Sequence, residues 1–299
     1  MCGCGPRRHH PRAIRRSLLS DVVEPFMTAV RTMSLIAAVA CAVNALELLA
    51  MRSSWSSQGV WREQILAAEW GGWRIMLGTK GFLMVQVVQL VAAGVLATCG
   101  ALVQLHADAS VAEPGVVASK LAGSTFAAGA AMVLATTTLL AAMRFRATVN
   151  GGSDGMLFTV LLGLSIAWLP TVPMVVREGA VLYVAAQLTL SYARAGLVKV
   201  RERAWWRGEA LAAFLALPAY GVPLWIPRHP VLLRVASIAV ITFECSALAA
   251  WSDPHVAAIV IATALAFHIG AAVVFGLNRF LLAWSAALPA LWYAANRVG

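Results

Sequence analysis

The chain has 299 residues, 61% of them hydrophobic and only 12% charged, where a soluble domain carries about 25% charged residues. That balance excludes an ordinary soluble enzyme and leaves a polytopic membrane protein. The net charge of +10 is not read as a nucleic-acid signal, because Arg7, Arg8, Arg12, Arg15 and Arg16 all precede the first apolar run and suit a cytoplasmic, positive-inside anchor beside anionic headgroups.

Residues 1–26 read as that basic cytoplasmic tail. Cys2 and Cys4 lie in it, but two cysteines fall short of the four ligands of a structural zinc. No cleavage site follows the tail, so a cleavable signal peptide is not expected.

A membrane-crossing helix needs ~20 apolar residues. Runs at 27–50, 81–105, 117–143, 155–176, 179–198, 209–226, 231–251, 256–276 and 280–296 qualify or nearly qualify. The expected fold is all-α, a single membrane domain over 27–299 with about eight or nine membrane helices. The 209–226 run is the weak one, since Pro218, Gly221, Pro223 and Pro227 predict a broken or re-entrant segment. With the N-terminus inside, the loops at 144–154 and 199–208 fall outside yet carry Arg144, Arg146, Lys199, Arg201, Arg203 and Arg207. The positive-inside rule is then violated. Either the helix count shifts by one, or these outer cations line a pocket. The first loop gathers Arg52, Arg62 and Arg74 with Trp55, Trp61, Trp70 and Trp73. It reads as an interface belt or as part of a cap over that pocket.

Several polar residues sit inside the apolar runs, where they are costly and mark functional candidates. Glu47 and Asn44 are one turn apart in the first run, and Glu244 and His268 lie in later ones. Glu244 reads either as a site carboxylate or as the partner of Arg234 or Arg279. His268 reads either as a site residue or as a packing hydrogen bond. Asn150 to Gly155, with Asp154, is a glycine-rich turn that could cradle an anion, a weak signal by itself. No HExxH, GxSxG, Walker or zinc-ligand spacing occurs, and no metal site is expected.

The segment Tyr192–Gly208, YARAGLVKVRERAWWRG, carries one of only three lysines, against twenty arginines. Lysine can lose its proton where arginine cannot. Helical spacing puts Tyr192, Ala195, Gly196 and Lys199 on one stripe, and the two small residues admit a close partner. Neighbouring cations and a dry site would make Lys199 a usable base. The plain alternative is a lysine snorkelling to the interface.

The pattern Tyr192-x3-Gly196-x2-Lys199, followed by Trp205, Trp206 and Gly208, resembles the motif of the horizontally transferred transmembrane (HTTM) domain, the membrane core shared with vitamin K-dependent gamma-carboxylases. Asn150–Trp168 resembles that family's Gly-Asp turn before a span, and Phe267–Trp284 its late histidine helix. The resemblance implies a general base at Lys199, supported by His268 and Glu244. It implies a substrate or cofactor pocket from Tyr192, Gly196, Trp205, Trp206, Asn150, Asp154, Arg144 and Arg146, and reduced vitamin K or menaquinone as cofactor. The chain departs from the carboxylases in having Val198 before Lys199 where they pair two lysines, and in lacking their large domain after the membrane core. In length it is more similar to the membrane component that matures sporulation-delaying peptide toxins, and Arg31, Thr32, Asn44 and Pro218–Ile226 resemble that branch.

The expected function is that of a multi-pass plasma-membrane protein that modifies or matures a secreted peptide, with the lipid bilayer, that peptide and a second maturation subunit as partners. The alternative is a non-catalytic module that binds, exports or presents a peptide toxin or partner subunit. A transporter ranks last, because no inverted repeat is visible.

Overall fold

The structure, a computed structural model, describes residues 11–56, 58–63, 71–105, 114–145, 151–223 and 225–298. Among these there is no strand. The long helices are α1 (Pro11–Ala50), α2 (Thr79–Leu105), α3 (Pro114–Arg144), α4 (Gly151–Ala167), α5 (Met174–Arg201), α6 (Pro230–Ser246) and α7 (Pro254–Phe275), followed by the shorter α8 (Asn278–Ser285) and α9 (Leu288–Val298).

Six segments are long and apolar enough to cross a membrane: Val23–Ala50, Thr79–Leu102, Ala122–Arg144, Met174–Arg201, Pro230–Trp251 and Pro254–Phe275. The 17 residues of α4 are apolar but shorter. Large apolar side chains face outward on these helices, among them Phe126, Val231, Ile259 and Val273 at 67–80% exposure. Such a surface suits lipid and would be costly in water.

Local chemistry explains where the helices begin and end. The 40 residues of α1 extend about 60 Å at 1.5 Å per residue, twice the ~30 Å hydrocarbon layer. The basic tail therefore continues as helix from Pro11, ahead of the apolar stretch. Asp253 caps α7 by accepting from the backbone N–H of His255 and Val256 at 2.7 and 3.3 Å, with Pro254 following it; this satisfies donors that a helix start leaves open. The 209–226 run does not form a spanning helix. It breaks into a seven-residue helix, Glu209–Leu215, and 3-10 turns at Pro218–Tyr220 and Ile226–Arg228, because its prolines remove the helix donors. The last apolar run, 280–296, is likewise divided into α8 and α9. At one end of this pair Arg279 bonds Glu47 near the close of α1; at the other, Arg297 bonds Glu178 near the start of α5.

Packing is dominated by small residues. Ala37, Ala131, Ala185, Ala264, Ala290 and Ala294 are fully buried in one cluster that joins α1, α3, α5, α7 and α9. Lipid tails are as apolar as leucine, so close backbone approach and dispersion hold such helices together. A second cluster, with Leu48, Trp55, Leu77, Phe82 and Phe145, anchors the first loop against α2 and α3.

Gly208 has a left-handed φ of 76°, and a Cβ there would lie 2.6 Å from the backbone nitrogen of Arg234. It turns the chain from the end of α5 back onto α6. Gly208→Ala should lower stability by about 2–4 kcal/mol through left-handed strain plus overpacking. Thermal unfolding of purified protein in detergent checks this, and an unchanged melting temperature would contradict it.

Candidate functional site

The end of α5 meets α6 at Gly196. A Cβ on Gly196 would sit 2.8 Å from Cys245 Sγ and 3.0 Å from Glu244 Cβ. Absence of that atom lets the two helices touch, and one turn later Lys199 faces Glu244. Lys199 Nζ donates to both Glu244 oxygens, at 2.8 Å to Oε1 and 2.7 Å to Oε2. The pair is asymmetric, with the lysine side chain 17% exposed and the glutamate 4%. Lys199 is thus the reachable member and Glu244 the enclosed one. The Trp205 ring lies 5.1 Å from Nζ, within cation–π range.

Two turns back from Lys199 on the same stripe, Tyr192 and His268 share a 2.6 Å hydrogen bond between the phenol oxygen and Nε2. Both are buried. Aromatic rings surround them: Phe243 and Trp284 lie 5.0 and 4.8 Å from Tyr192, and Phe280 lies 5.0 Å from His268. His268 Nδ1 and Trp284 Nε1 are buried without a hydrogen-bond partner. Buried polar atoms are normally paired, so these two nitrogens stand out. The arrangement is a partly exposed ion pair beside a buried tyrosine–histidine pair enclosed by aromatic rings.

Of the residues singled out in the sequence, the structure brings together Lys199, Glu244, Gly196, Trp205, Tyr192 and His268. It corrects several others. Arg201, Arg203 and Arg207 are exposed, so the charge facing Lys199 is a carboxylate and not a group of cations. Glu244 pairs with Lys199, while Arg279 is taken by Glu47, so neither expected arginine partner for Glu244 holds. Trp206 is 41% exposed and donates to the Val200 carbonyl at 2.8 Å, which places it on the surface and not in the pocket. Arg144 is fully buried in the second cluster, where it donates to the carbonyls of Trp55 and Trp61 at 3.1 and 2.7 Å. A buried guanidinium needs several acceptors, and the loop backbone supplies them. Arg144 therefore ties the first loop to α3 and does not join the group around Lys199. Trp55 is buried there too, donating to the Leu48 carbonyl, and is not an interface-belt residue. Asp154 is buried in the first turn of α4, in the field of Arg279, and belongs to a separate polar cluster. Asn150 and Arg146 lie outside the described residues.

Sequence reasoning missed Phe243 and Trp284, because aromatic residues in apolar runs carry no mark of the site they enclose. It also missed the Glu178, Tyr293 and Arg297 group, in which Tyr293 and Arg297 both donate to Glu178 Oε1. Gln86 and Gln89, three residues apart in an apolar run, were a readable signal of buried polar packing.

The Lys199–Glu244 pair should behave as a coupled unit. Glu244→Leu alone leaves an ammonium without its partner and should destabilise more than Lys199→Leu with Glu244→Leu combined. A double-mutant cycle read by thermal unfolding in detergent should give a coupling of about 1–3 kcal/mol; additivity within error would show that the pair contributes no interaction.

Compared with known proteins, the chain has no significant match to a protein-family model, a curated protein or a solved structure.

Proposed function

We propose that the chain is an integral membrane enzyme of the horizontally transferred transmembrane type, which modifies or matures a secreted peptide with Lys199 and Glu244 as its acid–base pair. The observation that carries this reading is the two-point contact of a largely sheltered lysine with a buried glutamate, beside an aromatic, histidine-containing interior. An amine held this way has a proton acceptor in direct contact. When an acidic group of substrate docks against the exposed part of Lys199, the lysine takes its proton while passing its own to Glu244, and no net charge is added to the membrane interior. General acid–base transfer of this kind contributes about 10²–10⁴-fold. Tyr192 and His268 form the buried polar pair behind the lysine, and the Trp205 ring packs against its ammonium.

A reduced vitamin K or menaquinone is the cofactor this reading implies, and the residues fit one. His268 Nδ1 and Trp284 Nε1 are the unpaired buried atoms that a quinol ring oxygen would satisfy. An apolar groove of about 1050 Å³ between α1, α7 and α9 is lined by Leu265, one turn from His268, and by Ser285, next to Trp284, and suits an isoprenoid tail. The bound quinol would supply reducing power for oxygen-dependent base chemistry. In this reading the bundle crosses the plasma membrane about eight times, counting α4 and the divided α8–α9 pair, with the N-terminus cytoplasmic. The site then faces outward, toward a secreted peptide and a second maturation subunit. The resemblance of Arg31, Thr32, Asn44 and Pro218–Ile226 is what favours the sporulation-delaying toxin branch.

The second reading is a non-catalytic module that binds or presents a peptide. The same Lys199–Glu244 contact favours it in one respect, since the pair also fastens α5 to α6. Lys199→Arg separates the two. Arginine keeps the charge and the contact with Glu244 but does not release a proton. Mass spectrometry of peptides secreted by cells with and without the protein should show a mass change that depends on it. Lys199→Arg should retain the wild-type melting temperature yet reduce that mass change by about 100-fold or more. Retained modification in Lys199→Arg would overturn the catalytic role, and a changed amount of peptide without a changed mass would favour the non-catalytic module.

A further inference from the structure

Helices α1, α2, α3 and the first turn of α4 enclose a second polar cluster that the Lys199 chemistry does not use. Asn44, Gln86, Gln89 and Thr138 are only 0–3% exposed. Asn44 Oδ1, Gln89 Oε1 and both side-chain polar atoms of Gln86 have no hydrogen-bond partner. Thr138 has the thiol of Cys41 beside it, a weak partner. Gln89 Nε2 donates to the Cys41 carbonyl at 3.2 Å, which commits its nitrogen and leaves its oxygen open. Because neither polar atom of Gln86 is engaged, its amide can turn its oxygen inward at no cost in lost bonds.

These residues share one location. Cys41, Asn44 and Glu47 recur every three positions on one face of α1, as Gln86 and Gln89 do on α2. Cys41 lies beside Gln89 and Thr138 and in the field of Asp154. Asp154 is buried at 8% exposure and in the field of Arg279, which bonds Glu47. Within a bilayer, unpaired polar atoms find no water to satisfy them, and a set of this size is not expected without an occupant.

Chemistry narrows the occupant. The open atoms are mainly amide and hydroxyl oxygens, the Asp154 carboxylate is buried near them, and hard cations prefer oxygen ligands. Among the described residues no three His, Cys, Asp or Glu side chains come together, which disfavours a transition metal. Charge points the same way. Asp154 and Glu47 face the single guanidinium of Arg279, leaving one negative charge in excess, while Arg144 is set against Glu63 and the loop carbonyls. One positive charge balances the cluster, and a divalent ion would over-compensate it. We propose that Asn44, Gln86, Gln89, Thr138 and Asp154 form an intramembrane binding site for a singly charged hard cation of sodium's size.

The test is radioactive sodium binding to the purified full-length protein in nanodiscs at neutral pH, with choline as the balancing ion. The site predicts saturable uptake of one ion per chain and a melting temperature that rises with sodium chloride but not with choline chloride. Asp154→Asn and Gln89→Leu should each weaken uptake by about tenfold or more, with Lys199→Arg unchanged as the control. Absence of saturable uptake by the wild-type protein would mean that water alone fills the cluster and would overturn the proposal. So would uptake unaltered in both variants. Should either variant fail to fold, Thr138→Val is the milder substitution, and the wild-type measurement decides independently of all of them.

Discussion

A bilayer interior contains no water to accept or donate hydrogen bonds, so every charge and amide within it must find its partner in the protein. The arrangement of this bundle follows from that constraint. Lys199 is answered by Glu244, Arg279 by Glu47, and Arg177 donates to the Ala167 carbonyl at 2.6 Å. Arg144 reaches back to the backbone of the first loop. Trp168 donates to the Ser34 hydroxyl, which itself donates to the Val30 carbonyl. Each contact joins different elements or closes a helix turn, so satisfying polar groups and fixing the tertiary fold are the same event.

Close approach is the second half of the same argument. A short ion pair between α5 and α6 requires the helix axes to come near, and Gly196 against Cys245 permits it. The helix breaks at Glu202, and the Arg203–Trp206 turn that follows brings Trp205 beside the lysine. The Tyr192–His268 bond brings α7 to the same face of α5, and α8 closes the box with Phe280 and Trp284. The site is thus made at a meeting of four helices, none of which holds more than a fraction of it.

Where polar groups are fully answered, the bundle is rigidly specified; where they are not, it is suited to bind something. His268 Nδ1 and Trp284 Nε1 on one side, and the amides of Asn44, Gln86 and Gln89 on the other, are among the described places where the protein alone does not complete its own hydrogen bonding. The two sets adjoin at Phe280, which rests on His268 and lies 3.6 Å from where a Cβ on Gly152 would be. This adjacency packs the first turn of α4 against the aromatic rings around His268.

Much of this was legible in the chain. Apolar runs of membrane length determined an all-helical bundle, since only a helix satisfies its own backbone in lipid, and the prolines at 218 and 223 marked the run that would not span. The stripe Tyr192, Gly196 and Lys199 was readable because helical periodicity alone sets which side chains share a face. Partners were not readable. Whether Glu244 met Lys199, Arg234 or Arg279, and whether Arg144 served a pocket or a loop, depended on helix order and axial stagger. Periodicity along one helix carries no information on either. The sequence by itself determined which residues could not be left bare in a membrane; the tertiary structure decided who answers each of them, because only the packed bundle sets the distances over which charges and hydrogen bonds act.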